Sequence, residues 1–419
     1  MATNELQTNR GEYGIIDWLF FVLWILTAYF TRNLMCQAMM MLFVAVVAYV
    51  MMMRPLKVKG TFYFWGNILF ILYGYIMIKT GNAVNDGVAM KMVKSLSLNL
   101  VMSYAIVQYI VWKNELRSLM MLFEWGIFIV SLMVIISSVD TLSEGRLGGG
   151  TVVNSNMLAM LAVYGMVLCM YLINDAVNPG FYRLKILFFI AVVLFTGSRK
   201  GIIMILLAIM IINFVQGHKK IVKNIIIISF LAVALYVLVM NVKVLYDIIG
   251  VRIENMLELI FTDETSDGSL ITRQLLIDIG KDYIRDNPWI GYGYDCFKVV
   301  SDVNVVGDAY GAYAHNNYIE LLFSGGIIGT VLYYIPVVEI LIRLIRHIKT
   351  DRCITYLLAI LVPKLAVEYA YVSYYSRVDT YITAVIVGAV LFCNNKQKEI
   401  KAAEENENAV DKKTLKKPI

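Results

Sequence analysis

The chain has 419 residues, of which 59% are hydrophobic and only 16% are charged, with a formal net charge of +6. Soluble domains carry about 25% charged residues, so this composition and a mean hydropathy of +0.69 exclude an ordinary soluble domain. The five cysteines are scattered and mostly lie in apolar runs, which predicts neither a disulfide framework nor a metal site. The composition therefore predicts an all-α integral membrane protein without a cofactor.

Apolar runs of about 20 residues recur along the chain, and each is long enough to cross a bilayer as a helix. They predict about twelve membrane-spanning helices. The predicted spans are residues 14–30, 33–53, 61–79, 94–112, 118–139, 156–173, 184–198, 200–217, 221–242, 326–346, 353–373 and 377–393. The chain thus divides into nine helices within 1–242, one large loop over 243–314, three helices within 315–393 and a polar tail over 394–419.

Clusters of Lys and Arg occur in every second loop, so the positive-inside rule places both termini in the cytoplasm and the large loop outside. These cations are Arg54, Lys57, Lys59, Lys113, Arg117, Arg183, Lys185, Lys219, Lys220, Lys223, Arg343, Arg346, Lys349 and Arg352. Such a distribution is typical of membrane topology, and the sequence contains no nucleic-acid-binding motif. The polar tail over 394–419 is predicted to be a disordered cytoplasmic end.

An outer loop that could contact a ligand contains Arg146, which is followed by Leu147 and then by three consecutive glycines. Glycines let backbone amides approach a ligand closely. A flexible outer turn explains this run at least as well, because its spacing differs from that of phosphate-binding loops and dinucleotide motifs.

Arg199 and Lys200 lie between two apolar runs with almost no loop to carry them. An arginine at the bilayer edge costs about a few kcal/mol unless it reaches the headgroups or is paired, so two adjacent cations indicate a bound anion. Ordinary contact with lipid headgroups is an equally good interpretation from spacing alone.

The large loop has apolar residues at helical spacing over 244–261 with charged residues between them, which predicts an amphipathic helix near the membrane surface. A second helix is predicted to follow and to end at Asn287-Pro288. Arg273 lies in the early turns of this second helix. A solvated helix face also explains an arginine at that position.

His315 is one of three histidines, and it marks the point where the large loop re-enters the apolar chain. An imidazole with a pKa near 6.5 accepts a proton from a hydroxyl at neutral pH, so His315 is the best candidate for a general base. A histidine at a helix start is more often a polar cap. The adjacent Asn316 is predicted either to cap the helix or to orient the ring. Gly325, Gly326 and Gly329 are predicted to let a short helix bend into the membrane-spanning one.

Several ionisable residues lie inside predicted spans. Lys364 and Glu368 are four residues apart and share a helix face, so structural pairing is preferred over a transport gate. Glu124 has no obvious partner in the sequence. Glu320 lies about a turn and a half beyond His315 and is predicted to be structural.

Four motifs follow one another along residues 146–329. They are Arg146 with Gly148 and Asn156; Ser198-Arg199-Lys200-Gly201; Asn287-Pro288-Trp289-Ile290-Gly291-Tyr292-Gly293; and Ala314-His315-Asn316 with Gly326-Ile327-Ile328-Gly329. In order and spacing they resemble the O-antigen ligase and O-antigen polymerase superfamily of bacterial envelopes. Ser155 is a departure, because the family often has proline there. The first outer loop, at about residues 31–33, lacks a clear acidic residue, which distinguishes this family from the other membrane glycosyltransferases of the GT-C class that use one there.

The resemblance implies a GT-C-like glycosyltransferase of the bacterial cytoplasmic membrane, with an oligosaccharide on undecaprenyl diphosphate as its substrate. In such proteins the arginines that match Arg199 and Arg273 hold the diphosphate, and the histidine that matches His315 activates the acceptor hydroxyl without a metal. The predicted site has His315 as the base, Arg199, Arg273, Arg146 and Lys200 around the diphosphate, and Asn316, Asn156 and Gly326 in support.

The leading prediction is a polymerase that joins lipid-linked repeat units into O-antigen, capsule or exopolysaccharide by one inverting displacement on the outer membrane face. A ligase that transfers the finished glycan to lipid A core or to a protein is the close alternative. A transporter or flippase of anionic solutes is the alternative from another class, weakened because the sequence shows no internal repeat. The expected partners are the lipid-linked substrate, membrane lipids, a flippase and a chain-length regulator, and no nucleic acid.

Overall fold

The computed structural model describes residues 14–29, 34–53, 61–113, 115–138, 146–148, 153–216, 221–262, 268–304, 311–348 and 351–414. The α-helices are α1 (Ile15–Tyr29), α2 (Leu34–Met53), α3 (Phe62–Lys79), α4 (Asp86–Lys113), α5 (Leu116–Ser137), α6 (Ser155–Leu172), α7 (Pro179–Phe195), α8 (Arg199–Gln216), α9 (Ile221–Asn241), α10 (Lys243–Leu245), α11 (Val251–Thr262), α12 (Gly268–Asp286), α13 (Phe297–Asn304), α14 (Asn317–His347), α15 (Arg352–Val367) and α16 (Arg377–Thr414). These ranges contain no β-strand, in agreement with the predicted all-α class.

Eight of the described helices are long and apolar enough to cross a membrane, namely α3, α4, α5, α6, α8, α14, α15 and α16. A ninth span results if the pair Val233–Asn241 and Lys243–Asn255, bent by 99°, crosses as one broken helix. Every predicted span overlaps a described helix, but some, such as α1 with 15 residues, are short for a hydrocarbon core of about 30 Å. The multi-pass membrane architecture is therefore established, and the count of twelve spans stays a prediction.

The direction of insertion also stays a prediction. Among the cations used to infer it, Arg54, Lys57, Lys59, Lys219, Lys220 and Lys349 lie outside the described residues.

The large loop is anchored to the membrane helices by its own apolar core. This core joins α3 and the start of α4 to α12, α13 and the first turns of α14. Helices α12 and α14 approach closely at Gly280, where an added Cβ atom would lie 2.4 Å from Ile319 Cγ2. Small residues allow such close helix contacts. The predicted amphipathic helices of the loop are present as α11 and α12.

Helix α14 is broken at Gly326, which has φ 58° and ψ −163°. A break inside a membrane leaves backbone groups without partners, so other polar groups must bind them. The segment 287–293 supplies these groups. The bonds run from Tyr292 N to Phe323 O (2.9 Å), from Gly293 N to Ser324 O (2.9 Å), from Ile327 N to Pro288 O (2.8 Å) and from Ile328 N to Trp289 O (3.3 Å). The bend predicted at Gly325 and Gly326 is confirmed. It also links the motif at residues 287–293 to the motif that contains Gly326, because the first binds the broken backbone of the second.

Glu124, for which the sequence showed no partner, has one in the structure. Lys185 of α7 lies 2.6 Å from it, and the thiol of Cys169 donates to the same carboxylate at 3.3 Å. The Lys185 ammonium also lies 3.6 Å from the centre of the Trp125 ring. Lys185 was assigned to a cytoplasmic cation cluster, yet it is 3% exposed. It forms a buried ion pair that joins α5 to α7.

Helix α16 continues to Thr414, whereas the sequence predicted disorder from residue 394. The sequence between these positions is rich in Ala, Glu and Lys, which have high helix propensity. The helix therefore extends through a tail too polar to remain in the membrane. Residues 415–419 lie outside the described ranges.

Candidate active site

His315 lies in the turn immediately before α14, with a positive φ of 53°. Residues with side chains seldom adopt this conformation, and where they do the strain often serves a functional site. The amide oxygen of Asn316 accepts hydrogen bonds from the backbone N–H groups of Tyr318 at 3.0 Å and Ile319 at 3.2 Å. Asn316 is thus the cap of α14. The helix end does not need His315, so the imidazole is available for chemistry.

The imidazole of His315 is surrounded by an aromatic ring and by positive charge. The ring of Tyr313 lies 4.1 Å from it, measured between ring centres, at an angle of 41°. Burial, followed by the positive charges of Arg273 and Lys200, lowers the pKa of His315 from 6.5 to about 4. The imidazole is consequently neutral at physiological pH and has a lone pair that accepts a proton.

The four cations predicted to hold a diphosphate come together around Lys200. Its ammonium interacts electrostatically with Arg146, Arg199 and Arg273, and the side chain is 9% exposed. Arg199 and Lys200 begin α8, so the partial positive charge of a helix amino terminus adds to theirs. Like charges repel at such short range, and a bound anion removes this cost. The arrangement is typical of an anion-binding site beside His315.

Arg199 also has a structural contact. One of its guanidinium N–H groups donates to the backbone carbonyl of Arg252 in α11 at 2.9 Å. The preceding Gly197 has φ 62°, and a Cβ atom there would lie 2.7 Å from the carbonyl oxygen of Ile248. The start of α8 therefore packs directly on the bent segment that follows α9. Arg199 both contributes charge to the cluster and fixes α8 to α11.

The short described segment 146–148 is placed by backbone and polar contacts. The N–H of Leu147 donates to the carbonyl of Phe195 at 2.9 Å. A Cβ atom on Gly197 would lie 3.6 Å from Cδ of Arg146, so this arginine lies next to the turn before α8. The remaining glycines of that run, Gly149 and Gly150, lie outside the described residues. The structure thus places Arg146 in the cluster, although its sequence context alone did not decide its role.

Asn156 supports the same turn from α6. Its amide oxygen accepts a hydrogen bond from Ser198 Oγ at 2.9 Å, and its own N–H donates to Asn154 at 2.8 Å. Asn154 caps α6, and the buried Ser155 is the first helical residue. The position where the family often has proline is therefore the first residue of a helix, where proline is also well tolerated.

Asn317 is a site residue that the sequence analysis did not identify. Its side chain, fully buried, makes four hydrogen bonds to groups far along the chain. Its amide nitrogen donates to Tyr334 Oη (2.9 Å) and Glu368 Oε2 (3.3 Å), and its oxygen accepts from the N–H groups of Ser373 (2.9 Å) and Tyr374 (3.2 Å). No local pattern signals these contacts, because the partners lie up to 57 residues away. Asn317 fixes the helix that follows His315.

The Lys364 and Glu368 pair belongs to this network. Lys364 Nζ donates to Glu368 Oε1 at 3.1 Å, and Ser373 Oγ donates to the same oxygen at 2.5 Å. Both residues of the pair are buried, and Glu368 also binds Asn317. These contacts favour a structural role over a transport gate. Among the described residues, no group of three His, Cys, Asp or Glu is placed to hold a metal ion.

Residues 184–334 match the protein family described as O-antigen ligase. The match covers about a third of the chain. The predicted relation to the O-antigen polymerase and ligase superfamily is thereby confirmed. No curated protein matches the chain significantly.

The matched region contains Arg199, Lys200, Arg273 and His315, whereas Arg146 and Asn156 lie before it. It also includes Gly326, where α14 is broken, and the segment 287–293 that binds the broken backbone. The match indicates ligase-type or polymerase-type activity in glycan assembly by a multi-pass membrane protein. The residues that surround His315 in space are therefore mostly contributed by the part of the chain that defines the family.

Proposed function

We propose that the protein is a polymerase that joins undecaprenyl-diphosphate-linked oligosaccharide repeat units into a surface polysaccharide on the outer face of the cytoplasmic membrane. The observation that supports this most directly is the position of His315, a neutral base within electrostatic range of Arg273 and Lys200. Glycosyl transfer from a lipid diphosphate requires both a base for the acceptor and positive charge for the leaving group.

The reaction is a single displacement. The hydroxyl of the acceptor sugar gives its proton to His315 while its oxygen attacks the anomeric carbon of the donor. The bond between that carbon and the diphosphate oxygen breaks, and its electron pair stays with undecaprenyl diphosphate. The configuration at the anomeric carbon is inverted because attack and departure occur on opposite faces. The proton passes from His315 to solvent before the next cycle.

The cation cluster stabilises the charge that develops on the leaving diphosphate. Arginine is permanently charged and binds two phosphate oxygens at once, so it acts without a metal. Arg273 and Lys200 interact electrostatically with His315, so we assign them to the diphosphate beside the reacting centre. Arg199, next to Lys200 at the start of α8, and Arg146, in the segment 146–148, interact electrostatically with Lys200. Because the charges are held by α8 and α12 in advance, little reorganisation is required during the reaction.

Donor binding should strengthen the base. In the absence of an anion, Arg273 and Lys200 help to keep the pKa of His315 near 4. A bound diphosphate brings negative charge to the same place, and a nearby opposite charge favours the protonated imidazole. The pKa of His315 then rises towards neutrality, where general bases are most effective. The base is thus activated when the donor is present.

The principal test is chain growth by purified protein supplied with lipid-linked repeat units. We expect His315→Ala to lower the rate by about 100-fold or more, the usual contribution of a general base. His347→Gln is the matched control, because His347 lies at the opposite end of α14. Full activity of a folded His315→Ala protein would rule out the mechanism. We expect a chelator to leave the rate unchanged, and strong inhibition would indicate a required metal.

A ligase is the second candidate, and the description of the matched family favours it. It would use the same donor and the same base, with lipid A core or a protein as the acceptor. A deletion strain separates the two functions. Loss of a polymerase leaves single repeats on the final acceptor, whereas loss of a ligase leaves long chains on undecaprenyl diphosphate.

A further inference from the structure

Glu320 is a buried carboxylate next to the candidate base, and the proposed reaction does not use it. Its side chain is fully buried in the first turns of α14. Oε2 accepts a hydrogen bond from the backbone N–H of Ala314 at 2.8 Å. Oε1 has no hydrogen-bond partner among the described residues. A buried carboxyl group with so few hydrogen-bond partners costs stability, so its presence needs another explanation.

The hydrogen bond between Glu320 and Ala314 connects the residue before His315 to the helix that follows His315. Ala314 directly precedes His315, and Asn316 directly follows it and caps α14. Both neighbours of the histidine are therefore tied to the first turns of one helix. His315 itself has the unfavourable φ of 53°, which persists only where surrounding contacts impose it.

We propose that Glu320 is a positioning residue, which acts through the Ala314 N–H to hold His315 against Tyr313 and the cation cluster. This rests on the proposed role of His315 as the base. The side chain suits the task by its length, because its oxygen reaches the Ala314 N–H at 2.8 Å from a fully buried position on the helix. In the described structure, Glu320 reaches the histidine turn through this backbone hydrogen bond.

Three variants separate this role from general support of the helix. Glu320→Gln keeps the side-chain length and an acceptor oxygen for Ala314. Glu320→Asp keeps the carboxyl group but is one methylene too short to reach that N–H. Glu320→Ala removes both. Glu339→Ala is the matched control, because Glu339 lies on the same helix and pairs only with Arg343 in the described structure, at 2.5 Å.

The first measurement needs no substrate. Diethyl pyrocarbonate modifies accessible neutral imidazoles, and mass spectrometry of peptides reports the rate at His315 separately from His218 and His347. We expect Glu320→Ala and Glu320→Asp to raise the rate at His315 by about threefold or more, because the strained turn relaxes. Glu320→Gln and Glu339→Ala should leave it unchanged. Unaltered reactivity in both the alanine and aspartate variants, with normal thermal unfolding, would overturn the proposal.

The second measurement is catalytic. A small misplacement of a base lowers kcat strongly, so we expect about a tenfold or greater loss in Glu320→Asp, with KM for the lipid-linked donor almost unchanged. The acid limb of its pH profile should move up towards 6.5, because a less buried imidazole is protonated more easily. Glu320→Gln should restore kcat. Wild-type kcat in the aspartate variant would refute the positioning role.

Failure of the two proposals is distinguishable. If His315→Ala is fully active, the proposed reaction is wrong, while the modification rates still test whether Glu320 holds the turn. If His315→Ala is inactive and Glu320→Asp is normal by both measurements, only the positioning role is wrong.

Discussion

A Cβ atom on Gly291 would lie 2.5 Å from the backbone nitrogen of Gly326. The two glycines belong to the third and fourth sequence motifs, and both have positive φ, 84° and 58°. Their backbones touch where the segment 287–293 binds the broken ends of α14. The site depends on this contact, because the short first part of α14 carries the turn that contains His315.

Gly291→Ala should destabilise the protein by about 2 kcal/mol or more, since a backbone clash has no flexible side chain to absorb it. Gly81→Ala is the matched control: Gly81 also has a positive φ, 73°, but no atom lies within 4 Å of the added Cβ. The Gly81→Ala variant should lose about 1 kcal/mol of folding stability, from backbone strain alone. Thermal unfolding of both variants in the same detergent gives the comparison. Equal stability of the two would contradict the observed contact.

The protonation of His315 should follow its surroundings. In the donor-free protein, its reactivity with diethyl pyrocarbonate should decline only as the pH falls towards about 4, well below the ordinary 6.5. Arg273→Gln should raise this midpoint, because one of the positive charges that opposes protonation is removed. Arg285→Gln on the same helix should leave it in place, since Arg285 is exposed and paired with Asp282. A midpoint near 6.5 in the wild-type protein would contradict this environment.

The lowered pKa of His315 also makes the folding stability depend on pH. The folded protein favours the neutral imidazole, whereas the unfolded chain binds a proton near pH 6.5. The stabilising contribution of a neutral His315 is therefore complete above 6.5 and declines as the pH falls from 6.5 towards 4. His315→Gln should remove this part of the pH dependence of unfolding and leave the rest.

The arginines of the cluster should be required for catalysis. Arg273→Lys should lower kcat by about tenfold or more, because lysine does not bind phosphate in a bidentate manner. Arg199→Lys should lower both kcat and thermal stability, since Arg199 also donates to the Arg252 carbonyl. Arg285→Lys serves as the control on α12. Unchanged kinetics in both cluster variants would show that these arginines only anchor helices.

Because Lys185 and Glu124 form a buried ion pair, the loss of folding stability in a single variant should be largely recovered in the double variant. Lys185→Met alone leaves a carboxylate buried without its partner, which should cost about 3 to 5 kcal/mol. The double variant Lys185→Met with Glu124→Leu should recover most of this loss, because neither charge then remains. Thermal unfolding checks both variants, and a double variant no more stable than the single one would contradict the pairing. Chain growth by the double variant should stay near the wild-type rate.

Local sequence determined most of the helical framework. Apolar runs of the length of a bilayer predicted a membrane protein, and each predicted span overlaps a described helix. The helical period over 244–261 predicted α11, and Gly325 and Gly326 predicted the break in α14. These features depend on residues close together in the chain, so their physical causes are visible in the sequence. The helix beyond residue 394 differs from the predicted disorder, because the polar composition of this tail is typical of disorder while its helix propensity is high.

The site itself was decided by tertiary structure. Arg199 and Lys200, Arg273 and His315 lie on three separate elements, and only the packing of α8, α12 and α14 brings their charges together. The partner of Glu124 on α7, the four bonds of Asn317 and the bond from Ala314 to Glu320 were likewise absent from any local pattern. By sequence alone, a helix cap is the more frequent role for a histidine at the position of His315. The structure assigns the cap to Asn316, because its side-chain oxygen accepts hydrogen bonds from the backbone N–H groups of Tyr318 and Ile319. The imidazole of His315, one residue earlier and at positive φ, is not needed for this role.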